Sequence, residues 1–366
     1  MHDDRGWFWT SMIRKRDNNL MQCWLFRCLA LPLLVALACS PVAAQCTAYV
    51  PTHKSNSVAV IDTMLDRVIA VIPVQIQPLA VAITPNGAFA YVTNSGWVFG
   101  SDSVSVIDTS SNTVVATIPV GSFPVGVAIT PNGAFAYVAN FNSNSVSVID
   151  TATNTVTTTV PLPPVVGPPS ASGGPWGLAT TPNGTFVYVT NVNANDVSVI
   201  DTATNTVTAV VPVGNGPVAA AITPNGAFAY VTNQSSSNVS VISTATNTVV
   251  ATIPIASGSY NSGPYAVAIT PNGAFAYVAN AAASTVSVID TATSTVIATV
   301  PVGTVPHGVA ITPDGAFAYV TNEYSSTVSV INTATNTVVD TVTGVAVAPE
   351  GVAIMHSRNA LTSSCR

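Results

Sequence analysis

The strongest constraint on this chain is that it repeats itself. Aligned on the dipeptide Tyr-Val, seven units begin at Tyr49, Tyr91, Tyr137, Tyr188, Tyr230, Tyr277 and Tyr319, with spacings of 42, 46, 51, 42, 47 and 42 residues. A unit reads roughly FAYVTN, then SVSVIDTATNTVVATIPVG, then PxGVAITPNG. Each holds four short runs of β-formers bounded by turn residues. In TPNG the proline presets the first central φ of a type I turn, and the glycine accepts positive φ. DTATNT does similar work between the third and fourth strands. Four strands in each of seven units of forty-odd residues predict an all-β fold, a seven-bladed β-propeller of four-stranded antiparallel blades.

The phase of the repeat predicts how the ring closes. After its leader the chain starts in mid-unit, at the strand containing Tyr49, and ends with EGVAI (350–354), the strand that precedes Tyr-Val in every other unit. The C-terminal strand should therefore complete the first blade as its innermost member. Cys46 and Cys365 would then lie close together at the seam, and a pair of cysteines in an exported chain is read first as a disulfide.

Composition is needed to decide between a membrane and a water-exposed protein. With 48% hydrophobic and only 7% charged residues, the averages point to a membrane. The apolar residues are mostly Val and Ala in short runs, however, and no stretch after residue 44 is long enough to span a bilayer. Such residues suit strands buried on both faces between other sheets. Residues 24–39 form an apolar run behind Arg14, Lys15 and Arg16, and Val42 and Ala44 stand as small residues before a cleavage point. Residues 1–44 therefore read as a secretory signal peptide, with Met12 or Met21 as alternative starts, and residues 45–366 as one domain. The protein is expected in the periplasm, outside the cell or on its surface. Five of the nine basic and three of the fifteen acidic residues lie in the leader, leaving four against twelve, a net charge of −8. Phosphate backbones are held by clustered Lys and Arg; with no such cluster, nucleic acid is not an expected partner. A monomer is expected.

Through AYVTN, SVSVIDTATNTV and GVAITPNG, the chain resembles the YVTN β-propeller repeat family from Cys46 to about Ile354. The resemblance implies the same propeller. Its wider group includes bacterial cell-surface and periplasmic repeat proteins, lactonase-like propellers and the haem d1 domain of nitrite reductase, so it implies several functions rather than one.

If GVAIT is the innermost strand, the residue after each proline faces the channel mouth. Round the ring from the seam these are Glu350, Leu79, Val125, Trp176, Val218, Tyr265 and His307. The loops after the second strands, on the same face, begin with His53, Ser95, Phe141, Val192, Gln234, Ala281 and Glu323. His307 and Glu323 belong to the seventh blade, Glu350 and His53 to the first, so the four gather in one sector, with Lys54 beside them. Two imidazoles and two carboxylates suit a divalent transition metal such as zinc at His53, His307, Glu323 and Glu350. They also suit acid–base catalysis by His307 and Glu350. The bland alternative is a set of solvated loop residues on divergent terminal units. Trp97, Phe141, Trp176 and Tyr265, with Tyr260 nearby, are candidate ligand contacts on irregular loops of that face; packing against their own loops is the competing reading.

No Gly-x-Ser-x-Gly, His-Glu-x-x-His or Cys-x-x-Cys-His motif occurs. Asp62, Asp108, Asp150, Asp201 and Asp290 recur before the TATNT turns and are replaced there by Ser243 and Asn332, which marks them as turn formers. The leading reading is an exported, non-enzymatic module that binds a small ligand, glycan or protein and needs no cofactor. The alternative is a lactonase-like hydrolase or metal-dependent enzyme at the seam. Haem d1 binding would take His307 as axial ligand, and the acidic charge counts against it.

Overall fold

The structure is a computed structural model that describes residues 46–96, 102–164, 174–255 and 263–355. The leader, Trp97, Tyr260 and Cys365 lie outside the described residues. Among the described residues twenty-eight strands, β1 to β28 in chain order, form seven four-stranded antiparallel sheets. The first blade is built from β1 (Thr47–Thr52), β2 (Ser57–Asp62), β3 (Arg67–Pro73) and β28 (Ala353–Met355), in the order β28-β1-β2-β3. Tyr49 pairs with Ala353 and Thr47 with Met355, so the end of the chain closes the ring as the repeat phase predicts. The paired closing strand is shorter than the EGVAI run. The Glu350 amide still bonds β1, at the Pro51 carbonyl (2.9 Å), whereas that of Gly351 turns to the Leu79 carbonyl of the second blade (3.0 Å).

Burial follows position in the blade. The two middle strands of each sheet are almost wholly buried, as in FAYVTN of β5 (Phe89–Asn94) and SVSVID of β6 (Ser103–Asp108). The outer strands alternate between exposed and half-buried. The cores lie between neighbouring sheets: Tyr49, Val58 and Val60 of the first blade pack on Ala90 and Val92 of the second. This explains the Val and Ala excess, because a strand covered on both faces has no polar side to offer.

The Tyr-Val-Thr-Asn motif has a separate structural task for each polar letter. The buried tyrosines reach into the next blade, where Tyr91, Tyr137, Tyr188 and Tyr277 donate to Oδ1 of Asn154, Asn205, Asn247 and Asn336 at 2.6–2.7 Å. Those asparagines take the left-handed positions of the TATNT turns, with φ of 52–54°. The threonine hydroxyl also crosses between blades: Thr93 donates to the carbonyl of Val125 (2.6 Å) and Thr190 to that of Val218 (2.8 Å). The asparagine stays within its own blade, as Asn94 does in donating to Ser105 (3.0 Å). The recurring aspartates are turn formers, since Asp150 Oδ1 accepts the amides of Ala152 and Thr153.

Burial pushes the hydroxyls of Tyr91, Tyr137, Tyr188 and Tyr277 up to about 12, from an ordinary value of about 10. A folded-state value above the unfolded one makes a contribution to stability that is complete below about pH 10 and is lost as pH rises through about 12. We therefore expect one cooperative alkaline unfolding in that window, with tyrosinate absorbance and loss of the β-sheet circular dichroism coinciding. Tyrosinate appearing while the sheet signal persists would contradict it.

Candidate functional site

The innermost strands β4 (Pro78–Ile83), β8 (Pro124–Ile129), β12 (Pro175–Thr180), β16 (Pro217–Ile222), β20 (Pro264–Ile269) and β24 (Pro306–Ile311) share one irregularity. In each, the pairing register slips just after the proline, between Pro306 and Val309 in β24 for example. A bulge of this kind re-aims the side chains that it releases from the ladder. The released residues line the channel mouth. Leu79, Val125, Trp176, Val218, Tyr265, His307 and Glu350, each followed by Ala or Gly, surround an open cavity.

The small second residue is required by the crowding of inner strands. A Cβ on Gly308 would stand 2.6 Å from the Glu350 carbonyl, and one on Gly177 would stand 2.4 Å from the Val218 carbonyl. At the seam the threonine clasp becomes part of the site. Gly308 donates its amide to Thr321 Oγ1 (2.7 Å), and that hydroxyl donates to the Glu350 carbonyl. Glu350 is thereby tied through its backbone to the first and seventh blades, and its neighbour Gly351 to the second. Its side chain is 7% exposed and His307 is 18% exposed.

His307 Nδ1 lies 2.6 Å from Glu350 Oε2. The Tyr265 ring covers the imidazole, with centroids 3.7 Å apart and planes tilted by 36°. Glu323 reaches the same point: one ligand atom from each of His307, Glu323 and Glu350 lies within 4.8 Å of the others. Lys54 Nζ stands 4.0 Å from Glu323 Oε1 and 5.6 Å from the ring centre of the exposed Tyr324. His53 is not a member of that close group. It opens a 3-10 turn (His53–Ser55) whose first amide is tied to the Ala348 carbonyl, and the next residue, Lys54, faces Glu323 instead. Of the four residues singled out in the sequence as candidate metal ligands, His307, Glu323 and Glu350 bring ligand atoms together and His53 does not.

Aromatic rings continue round the mouth. Phe123 meets Phe141, Phe141 meets Trp176 and Trp176 meets Tyr265, all edge to face, at 5.7, 5.5 and 6.3 Å. Trp176 and Phe141 are half-buried and pack on their neighbours, and Trp176 lines the channel cavity. Phe123 escaped notice in the sequence because it stands before the proline, not after it. Its signal is an aromatic residue where other units carry Gly, Gln, Val or Ala. The Tyr265 hydroxyl is held well above its ordinary range, first by burial and then by the charges of Glu350 and Glu323; a hydrogen bond with Trp176 opposes the shift. Tyr265 is therefore a neutral phenol at any physiological pH. Among the described residues the basic side chains are Lys54 and Arg67, and Arg67 sits on the outer strand β3. The mouth accordingly holds two carboxylates against one ammonium.

Several solved structures share this architecture. Hydrazine synthase of Kuenenia stuttgartiensis is 28% identical, with a TM-score of 0.68 over 79% of this chain and 92% of that one. The periplasmic gluconolactonase PpgL of Pseudomonas aeruginosa is 20% identical, with a TM-score of 0.71 over 86% of this chain and 99% of that one. A Bacteroides uniformis protein described as a proposed 6-phosphogluconolactonase is 18% identical, with a TM-score of 0.71 over 85% and 100% of the two chains. No curated protein matches the sequence. The family described as Lactonase, 7-bladed beta-propeller matches residues 70–169 and 168–355, which together cover most of the chain. Its sevenfold ring and this match agree: the chain belongs to the lactonase family of seven-bladed β-propellers.

Proposed function

We propose that the protein hydrolyses a lactone at the channel mouth, the alternative of the two readings drawn from the sequence. The observation that carries it is the His307–Glu350 pair, a buried carboxylate 2.6 Å from one imidazole nitrogen beside an open cavity. Membership of the lactonase family supports it. A carboxylate that accepts the Nδ1 proton fixes the tautomer and leaves Nε2 free to take a proton. In the proposed reaction His307 Nε2 removes a proton from water as its oxygen bonds to the lactone carbonyl carbon. The tetrahedral intermediate then expels the ring oxygen, which receives that proton, and the product is a hydroxy acid. The neutral phenol of Tyr265 is the nearby donor for developing oxyanion charge. Phe141 and Trp176 offer flat apolar surface for a sugar-derived ring.

The charge at the mouth selects within the lactones. Each added unit of negative charge about 10 Å from an uncompensated carboxylate costs about 1.7 kcal/mol at an effective dielectric of about 20. A neutral sugar lactone is the proposed substrate over its phosphate ester. The test is the rate of acid release from glucono-δ-lactone and from its phosphate ester, each against spontaneous hydrolysis. The expected result is acceleration of the neutral compound, with kcat/KM at least about tenfold above that of the ester. No acceleration of either would sink the proposal. Saturable binding without turnover would favour the second reading, a non-enzymatic ligand- or glycan-binding module, which the arc from Phe123 to Tyr265 supports. Export by the leader at residues 1–44 and a Cys46–Cys365 bond at the seam belong to the same proposal.

A further inference from the structure

We propose that His307, Glu323 and Glu350 bind one divalent transition ion of the zinc type. This inference goes beyond lactone hydrolysis and stands on the donor geometry whether or not the site turns over a substrate. Three ligand atoms within 4.8 Å of one another come from three side chains that are all at least four-fifths buried. Donors sharing one zinc lie about 2.0–2.2 Å from it, hence about 3.0–3.5 Å from each other. His307 and Glu350 meet at 2.6 Å through a proton that the ion would replace, parting them slightly, and the remaining closure falls on Glu323. The present partner of Glu323 is the exposed Lys54 ammonium at 4.0 Å, which the ion would displace.

The charge count favours a cation at that point. Among the described residues the ammonium beside Glu323 is that of Lys54, and it sits on the solvent side, 57% exposed. One imidazole with two carboxylates is a borderline donor set suited to zinc and its neighbours rather than to calcium or magnesium, which prefer oxygen alone. Preorganisation adds to this. The Tyr265 ring lies against the imidazole, and the Glu350 backbone is held at both its amide, by Pro51, and its carbonyl, by the Thr321 hydroxyl. His53, by contrast, is excluded from the donor set, and Lys54 competes with the metal for Glu323.

That competition gives the test a sign which a merely structural role for these residues would not produce. The untagged chain, stripped with a chelator, is titrated with zinc alone and then dialysed. Elemental analysis counts ions per chain, and calorimetry gives the affinity. The expected result is one zinc per chain, at least tenfold weaker binding in His307→Ala and in Glu323→Gln, unchanged binding in His53→Ala, and tighter binding in Lys54→Gln. The sheet circular dichroism of each variant establishes that it is folded, and Glu323→Gln, a near-isosteric change on a partly exposed side chain, keeps the test alive if His307→Ala does not fold. Absence of stoichiometric zinc from the wild-type chain, or equal zinc in the His307 and Glu323 variants, would overturn the inference. The chelated protein is assayed for lactone hydrolysis in parallel. Hydrolysis by a chain that takes no zinc removes the metal site alone. Zinc binding by a chain that hydrolyses nothing leaves the site standing and removes the hydrolase.

Discussion

His307→Ala is expected to lower kcat/KM for a neutral sugar lactone by about a hundredfold to ten-thousandfold, mainly through kcat. The loss falls on kcat because a general base acts on the proton that moves in the transition state, whereas the cavity walls hold the ring in ground and transition state alike. Glu350→Gln should cost at least about a hundredfold, since an amide can hold the imidazole in the wrong tautomer. Trp176→Ala should instead raise KM with little change in kcat, because it removes surface that binds the ring uniformly. The His307 side chain is 18% exposed and its removal leaves the buried Glu350 carboxylate without that partner, so the alanine variant should melt below the wild type and is assayed well under its own melting temperature. The check is a full rate–concentration curve for each variant beside its thermal unfolding. Full activity in His307→Ala would mean that the histidine–carboxylate pair is not the base, and the hydrolytic reading would lose its carrying observation.

The second large effect concerns the seam. Tyr319 is buried on the seventh blade, and its hydroxyl donates to the Thr63 carbonyl (3.1 Å) and to Asp66 Oδ1 (2.5 Å) of the first. Its ring packs with Ala48, Val50 and Ile61, so it joins the two ends of the chain from inside the core. Tyr319→Ala should cost about 3–5 kcal/mol through the lost burial and the cavity. Tyr319→Phe keeps the packing and should cost about 1 kcal/mol for the hydrogen bonds. The difference has a functional consequence. Glu350 lies just ahead of the short strand β28, and the seam is what brings it to His307. Lactone hydrolysis by Tyr319→Ala should therefore fail at lower denaturant concentration than the sheet signal does, while in Tyr188→Ala, in the closed interior of the ring, the two should fail together. Denaturant curves followed by activity and by circular dichroism decide it. Coincident loss in both variants would mean that the seam is no weaker than any other blade junction.

How much of this was legible beforehand differs between fold and site. The repeat made the propeller readable because each unit carries its own turn chemistry, and the turn residues do in the structure what they do locally in any chain: Asp150 caps its turn and Asn154 takes positive φ. Ring closure was readable because a unit split between the two ends has only one partner, itself. The channel-mouth positions were readable too, since a letter that varies inside an otherwise rigid repeat must face something other than a neighbouring sheet. The Thr clasp was not, because the sequence shows that Thr93 and Thr321 recur but not that they bridge to the next blade.

Within the site, sequence could gather His53, His307, Glu323 and Glu350 into one sector but could not tell which side chains meet. That depended on distances of a few ångströms across blades that are far apart in the chain, and on a 3-10 turn that puts Lys54, not His53, opposite Glu323. Phe123 joined the aromatic arc for the same reason, through a contact no local pattern encodes. The sequence by itself determined the number of blades, their strands and turns, and the phase of closure, because those rest on interactions between residues close in the chain or repeated along it. Only the tertiary structure decided which three of four candidate groups converge and what lies against the imidazole. Those are contacts between different blades, and their geometry is set by how sheets pack round a ring rather than by the composition of any one of them.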